Sequence, residues 1–202
     1  MITDFLFSLV IQVMSATGYT GLFVLSLVES AGIPVPSEIV LPFSGFLIAS
    51  GQFLLWPAVL LATLGNVVGS VILFWIGASG GRWFLEKYGK YVLIHHRDIE
   101  KGEAWFKRHG NKAVFFGRMM PIVRTFISLP AGVAQMNFKK FIVFTTLGAL
   151  PWNFALVYLG LKAGENWEML RSYFHIVDIV IGVGIVIFII WHVYNKQKQE
   201  HV

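Results

Sequence analysis

The 202-residue chain is 56% hydrophobic and 13% charged, about half the charged share of a soluble domain, which excludes a water-soluble core wrapped in polar surface. It has no cysteine, so disulfides and thiolate metal sites are excluded. The net charge of +5 reports membrane topology in such a chain before it reports nucleic acid.

From the N-terminus, Asp4 is the only charge before Glu29. With neither a basic n-region nor a small-residue cleavage site, the start reads as a short amphipathic piece rather than a secretory signal. Residues 18 to 50 are apolar but interrupted by Gly32-Ile33-Pro34-Val35-Pro36-Ser37. Proline removes backbone donors and biases the preceding residue away from helix. The segment therefore splits into two arms of about 13 residues, ~20 Å each, short of a ~30 Å hydrocarbon core. Two half-length arms joined by a break are the sequence form of a re-entrant hairpin. Leu54 to Ala78 follows and is long enough to cross.

All 16 Lys and Arg lie at or after Arg82, eight of them between Arg82 and Lys112. Residues 82 to 112 read as a cytoplasmic loop with short amphipathic helices, and interleaved acids (Glu86, Asp98, Glu100, Glu103) argue against a nucleic-acid patch. Residues 111 to 136 form a second broken segment, interrupted at Pro121 and again at Pro130-Ala131-Gly132. Lys107, Arg108 and Lys112 before it, and Lys139 and Lys140 after it, place both flanks inside. Phe141 to Leu161 and residues 174 to 194 are further spans, and Lys196 and Lys198 put the tail inside.

The halves share a plan. Thr63-Leu64-Gly65 recurs as Thr146-Leu147-Gly148, Gly77 matches Gly160, Gly45 matches Gly132, and Gly18 and Phe23 match Gly110 and Phe115. The expected fold is all-α and polytopic: one membrane domain over 1–202, with repeat 1 at about 1–81, the amphipathic loop at about 82–112 and repeat 2 at about 95–164. Each repeat is a re-entrant hairpin followed by a span, the two have inverted topology, and the C-terminal helix at 174–194 stands outside them. Trp56, Trp75, Trp83, Trp152 and Trp191 lie near predicted span ends and read as interface anchors.

Glu29, Glu38, Arg118 and Arg124 fall inside the broken segments. A charge at the bilayer centre costs from ~3 to above 10 kcal/mol, so each needs a partner, water or a function. Two acids on one hairpin and two bases on the other suit mutual neutralisation around a polar cavity, where non-helical backbone is tolerated. Six residues apart, Arg118 and Arg124 lie on different faces of an unbroken helix; a break at Pro121 lets both face that cavity. Ser37 and Asn153 are candidate lining residues, Asn153 also having helix packing as a role.

Glu29-Ser30-Ala31-Gly32-Ile33-Pro34-Val35-Pro36-Ser37-Glu38, Phe116-Gly117-Arg118-Met119-Met120-Pro121-Ile122-Val123-Arg124 and Pro130-Ala131-Gly132 resemble the signature stretches of the DedA membrane proteins, over nearly the whole chain. The resemblance implies a multi-pass protein of the bacterial cytoplasmic membrane that flips a lipid carrier or phospholipid, notably undecaprenyl phosphate, in dependence on the proton gradient. It also implies that Glu29, Glu38, Arg118 and Arg124 are the functional residues.

Physical chemistry leads the same way. Arginine offers a planar, permanently charged donor fork for phosphate oxygens, and protonating the glutamates would free the arginines for a headgroup. The expected partners are thus a membrane lipid with a phosphate head and protons, with no nucleic acid and with a homodimer as a candidate assembly; no cofactor or metal is expected. The rival readings are a proton-coupled carrier of ions or small cations, a membrane-embedded lipid phosphatase and an assembly scaffold. A phosphatase needs an activated nucleophile or metal-bound water. The six histidines lie in loops or near span ends, and no Gly-x-Ser-x-Gly or His-Glu-x-x-His pattern occurs. An enzyme is therefore not expected.

Overall fold

The computed structural model describes residues 2–33, 35–81, 96–121 and 123–164, with side chains left out for 2–7 and 96–103. Among these residues the secondary structure is all helical. Helix α1 (Ile2–Thr17) meets α2 (Tyr19–Ser30) at Gly18, whose φ of +60° is one that few side chains adopt. Next come α3 (Ser37–Ala49) and α4 (Leu55–Ile76), which runs on as a π-helical turn, Gly77–Gly81. Helices α5 (His96–Arg118), α6 (Val123–Phe126), α7 (Ser128–Val133) and α8 (Phe138–Ala163) complete the described part. The span expected at 174–194 and residues 82–95 of the basic loop lie outside the described residues.

The two long apolar helices are the expected spans. Leu55–Gly81 has 27 residues and Phe138–Ala163 has 26, or ~40 Å each at 1.5 Å per residue. The outer face of α4 carries Trp56, Leu60, Leu64, Ile72 and Trp75, all at least two-fifths exposed, whereas its inner face buries Thr63, Gly65, Asn66, Gly69 and Ser70. Large apolar side chains outside and small or polar ones inside are the arrangement of a helix whose solvent is lipid.

The first broken segment forms a hairpin of two short arms, α2 of 12 residues and α3 of 13. Its outer ends meet. The Leu54 backbone N–H donates to the Tyr19 hydroxyl at 2.6 Å, and the Tyr19 and Phe53 rings stack with centroids 4.1 Å apart. Its inner end carries Glu29 and Glu38.

The second segment departs from expectation in two ways. Residues 111–118 do not open a new arm, because α5 runs unbroken for 23 residues from the basic region to Arg118. Gly110, matched in sequence to the helix-breaking Gly18, is helical here. The second difference is at Pro130-Ala131-Gly132, which lies inside α7 rather than breaking the chain. Pro130 is in the first turn, where a helix residue needs no N–H partner. The chain turns instead at Ala134–Asn137, where Gln135 takes φ +50°, and the Asn137 side chain caps α8 by accepting from the Lys140 N–H at 3.1 Å.

Glycines set the packing, and the contacts recur. A Cβ on Gly65 of α4 would strike the Phe23 carbonyl of α2, and one on Gly148 of α8 would strike the Phe115 carbonyl of α5. A Cβ on Gly45 of α3 would run into Val157 and Gly160 of α8, and one on Gly132 of α7 into Phe74 of α4. In return, Gly160 faces the backbone of Pro42, and Gly77 faces that of Leu129. Thus α2 lies on α4 and α5 on α8, whereas α3 crosses to α8 and α7 crosses to α4.

Candidate functional site

Each broken segment bends near a proline, and both bends carry charge. Glu29 is in the last turn of α2, Glu38 in the first turn of α3, Arg118 ends α5, and Arg124 is the second residue of α6. Glu29, Arg118 and Arg124 are 6%, 3% and 4% exposed, a depth at which an unpaired charge is expensive.

The structure brings Glu29 and Arg124 together. Arg124 Nη2 donates to Glu29 Oε1 at 2.8 Å and to Oε2 at 3.0 Å. The Arg124 guanidinium also lies over the Trp152 ring, 5.5 Å from its centroid, a cation–π contact that strengthens away from water. Trp152 is therefore part of this site and not the interface anchor that its sequence position suggested.

Arg118 is held differently. Its Nη1 donates to the Arg124 carbonyl at 2.8 Å and its Nη2 to the Ser128 hydroxyl. Arg118 and Arg124, on either side of Pro121, thus come within hydrogen-bond reach of each other, but full mutual neutralisation does not follow: Glu29–Arg124 is the only ion pair among the described residues. Glu38 is half-buried, and its Oε2 accepts from Ser37 Oγ at 3.3 Å. Two buried guanidinium groups therefore face one paired carboxylate. Moreover, Arg118 Nε and Arg124 Nη1 are buried without a hydrogen-bond partner among the described residues. Leaving a buried polar group unpaired costs about 1–3 kcal/mol, more when it is charged, so both are donors disposed toward an acceptor.

A polar chain behind the ion pair escaped the sequence reading. Asn66, in the middle of α4, donates to the Ser26 carbonyl and the Ser30 hydroxyl at 2.9 Å each, and reaches Glu29 Oε2 at 3.4 Å. Asn153 of α8 donates to Asn66 Oδ1 at 2.9 Å and to Thr63 Oγ1 at 3.0 Å. Asn153, a candidate lining residue, is thus fully buried as a tie between the two spans, and its Oδ1 has no partner among the described residues. Ser37, the other candidate, is buried beside Glu38. Asn66 is the one amide in a mainly apolar 22-residue helix, a signal that internal partners are needed but not of which ones. Among the described residues, no group of three or more His, Asp or Glu could hold a metal ion.

The VTT domain family matches residues 35–162, and no solved structure matches the chain. The chain is 38% identical to the uncharacterised membrane protein YkoX of Bacillus subtilis, across 94% of this chain and 85% of that protein. It is 37% identical to an alkaline phosphatase-like protein of Lactococcus lactis subsp. lactis, across 95% of each. It is 39% identical to undecaprenyl phosphate transporter A of Bacillus subtilis, across 81% of this chain and 80% of that protein. The chain belongs to the DedA family of VTT-domain proteins, multi-pass proteins of bacterial membranes.

Proposed function

We propose that this chain moves a lipid phosphate, undecaprenyl phosphate or a phospholipid, between the leaflets of the cytoplasmic membrane. Arg118 and Arg124 bind the headgroup, and Glu29 and Glu38 act as counter-ions whose protonation couples the movement to the proton gradient. The observation that carries this reading is the imbalance at the hairpin bends: two buried arginines, one paired carboxylate and two unspent guanidinium N–H groups. Such a site is complementary to a compact anion. A carrier of small cations would need the opposite balance. The relative named undecaprenyl phosphate transporter A supports the choice of substrate class.

The architecture we infer for this task is one membrane domain over 1–202 in which two re-entrant hairpins enter from opposite faces. Their bends meet near the midplane, where many secondary transporters bind substrate. The lipid tail stays in the bilayer while the headgroup passes through the bends. A proton on Glu29 would release Arg124, and loss of the phosphate would let the ion pair re-form.

The test is reconstitution into liposomes with labelled undecaprenyl phosphate, phosphatidylglycerol and neutral phosphatidylcholine. The expected result is protein-dependent leaflet exchange of a phosphate lipid that is recovered with its phosphate intact and that speeds up under a proton gradient. Release of inorganic phosphate would point to a phosphatase instead. Absence of exchange for every anionic lipid would remove the reading.

A further inference from the structure

A second polar recess lies away from the buried arginines. It is a cavity of about 440 Å³ between the middle of α5 and the turn leading into α8, lined by stretches 106–112 and 134–137 together with Lys140. Lys107, Arg108, Lys112 and Lys140 bring permanent positive charges, His109 a titratable one and Asn111 an amide, and no lining residue is acidic. The acids of this region, Asp98, Glu100 and Glu103, come earlier in the sequence. No ion pair engages any of these cations among the described residues.

We propose that this recess is a binding site for a phosphate group presented at the cytoplasmic face, separate from the arginines at the hairpin bends. Several physical arguments converge. Its volume falls in the range of about 300–1,000 Å³ typical of small-ligand sites. Cations gathered within a Debye length repel one another and raise the local potential, which an anion relieves. The positive-inside rule puts this side of the protein at the cytoplasm, where basic pockets between transmembrane helices receive lipid phosphate headgroups. Trp105, one residue from the lining and 54% exposed, is of the type enriched at the membrane–water boundary, which sets the recess at headgroup depth. The floor beneath the charges is apolar: Phe106 is buried, and a Cβ on Gly110 would meet the Phe106 ring and the Met136 sulfur. The cations stand exposed around this floor.

Topology alone would need the charges but not their arrangement, and adjacent lysines separate the two. Lys140 lines the recess, whereas Lys139 does not, yet substituting either removes the same charge from the same flank. The experiment uses the full chain in phosphatidylcholine nanodiscs, with inorganic phosphate as the soluble probe, titrated calorimetrically. In parallel, phosphatidylglycerol is mixed into the disc and its retention is read by native mass spectrometry. The expected result is that Lys140→Gln weakens binding at least about tenfold, while Lys139→Gln and Lys140→Arg leave it unchanged. Binding of phosphatidylglycerol alone would identify a lipid headgroup as the source, and binding of inorganic phosphate a soluble one; either supports the site. If Lys140→Gln does not insert, Lys107→Gln reads the same recess from α5. Equal losses in Lys139→Gln and Lys140→Gln would show diffuse surface charge. No binding of either probe would leave the recess without a ligand. Either of those two results overturns the proposal.

Discussion

Arg118 and Arg124 are both buried, but their surroundings ask different things of them. Arg124 spends one nitrogen on Glu29 and its flat face on Trp152. Arg118 bridges a carbonyl and a hydroxyl with two nitrogens of one fork. Lysine keeps the charge but has neither the plane nor the fork. Arg118→Lys and Arg124→Lys are each expected to insert and fold while lipid transport falls at least about tenfold, the equivalent of ~1.4 kcal/mol; near-normal rates in both would make charge alone sufficient. Glu29→Gln removes the charge that holds Arg124 while keeping an amide oxygen to accept from it. It is expected to bind lipid phosphate at least as tightly as the unsubstituted protein and to turn over poorly, because the ion pair that resets the site is gone. Binding measured beside turnover checks this, and loss of binding in a folded protein would make Glu29 an organiser of the site. The four charged positions were legible in the sequence because charge within apolar segments stands out. Asn66 was not, because an amide shows its role only through partners such as Ser26 and Ser30, which sit on another helix.

Helix against helix, the packing rests on glycines that admit no side chain. Gly160 lies against the Pro42 backbone, whereas a Cβ on Gly80 would meet nothing within 4 Å. Gly160→Ala therefore has to separate α3 from α8, and overpacking of this kind costs about 1–3 kcal/mol. The expected outcome is a lower thermal midpoint and poorer yield in detergent for Gly160→Ala, with Gly80→Ala close to the unsubstituted protein; equal midpoints would show that the α3–α8 contact yields easily. Sequence comparison found these glycines, pairing Gly65 with Gly148, Gly77 with Gly160 and Gly45 with Gly132, since repeated spacing is visible in one dimension. It could not say which helix each one touches. Nor could it say that Gly110, unlike its match Gly18, is helical: glycine in a helix costs only about 1 kcal/mol against alanine, which the amphipathic packing of α5, with Phe106 and Val114 buried, readily offsets.

Topology is open to direct test because the chain has no cysteine to remove. Ser15, Gln52, His109 and Asn137 are exposed, so cysteines there can react with a membrane-impermeant thiol reagent. Inverted hairpins predict that Ser15→Cys and Gln52→Cys label in intact cells, and that His109→Cys and Asn137→Cys label only once the membrane is opened. Labelling of Ser15→Cys and Gln52→Cys from opposite faces would turn the first hairpin into a kinked span. The way the arms are shared between α4 and α8 has a mechanical result. Each broken segment packs its first helix on one span and its last helix on the other. A slide of α4 along α8 would therefore act as a pair of shears, drawing Glu29 away from Glu38 in one bend and Arg118 away from Arg124 in the other. A single slide of that kind would load both bends in the same stroke.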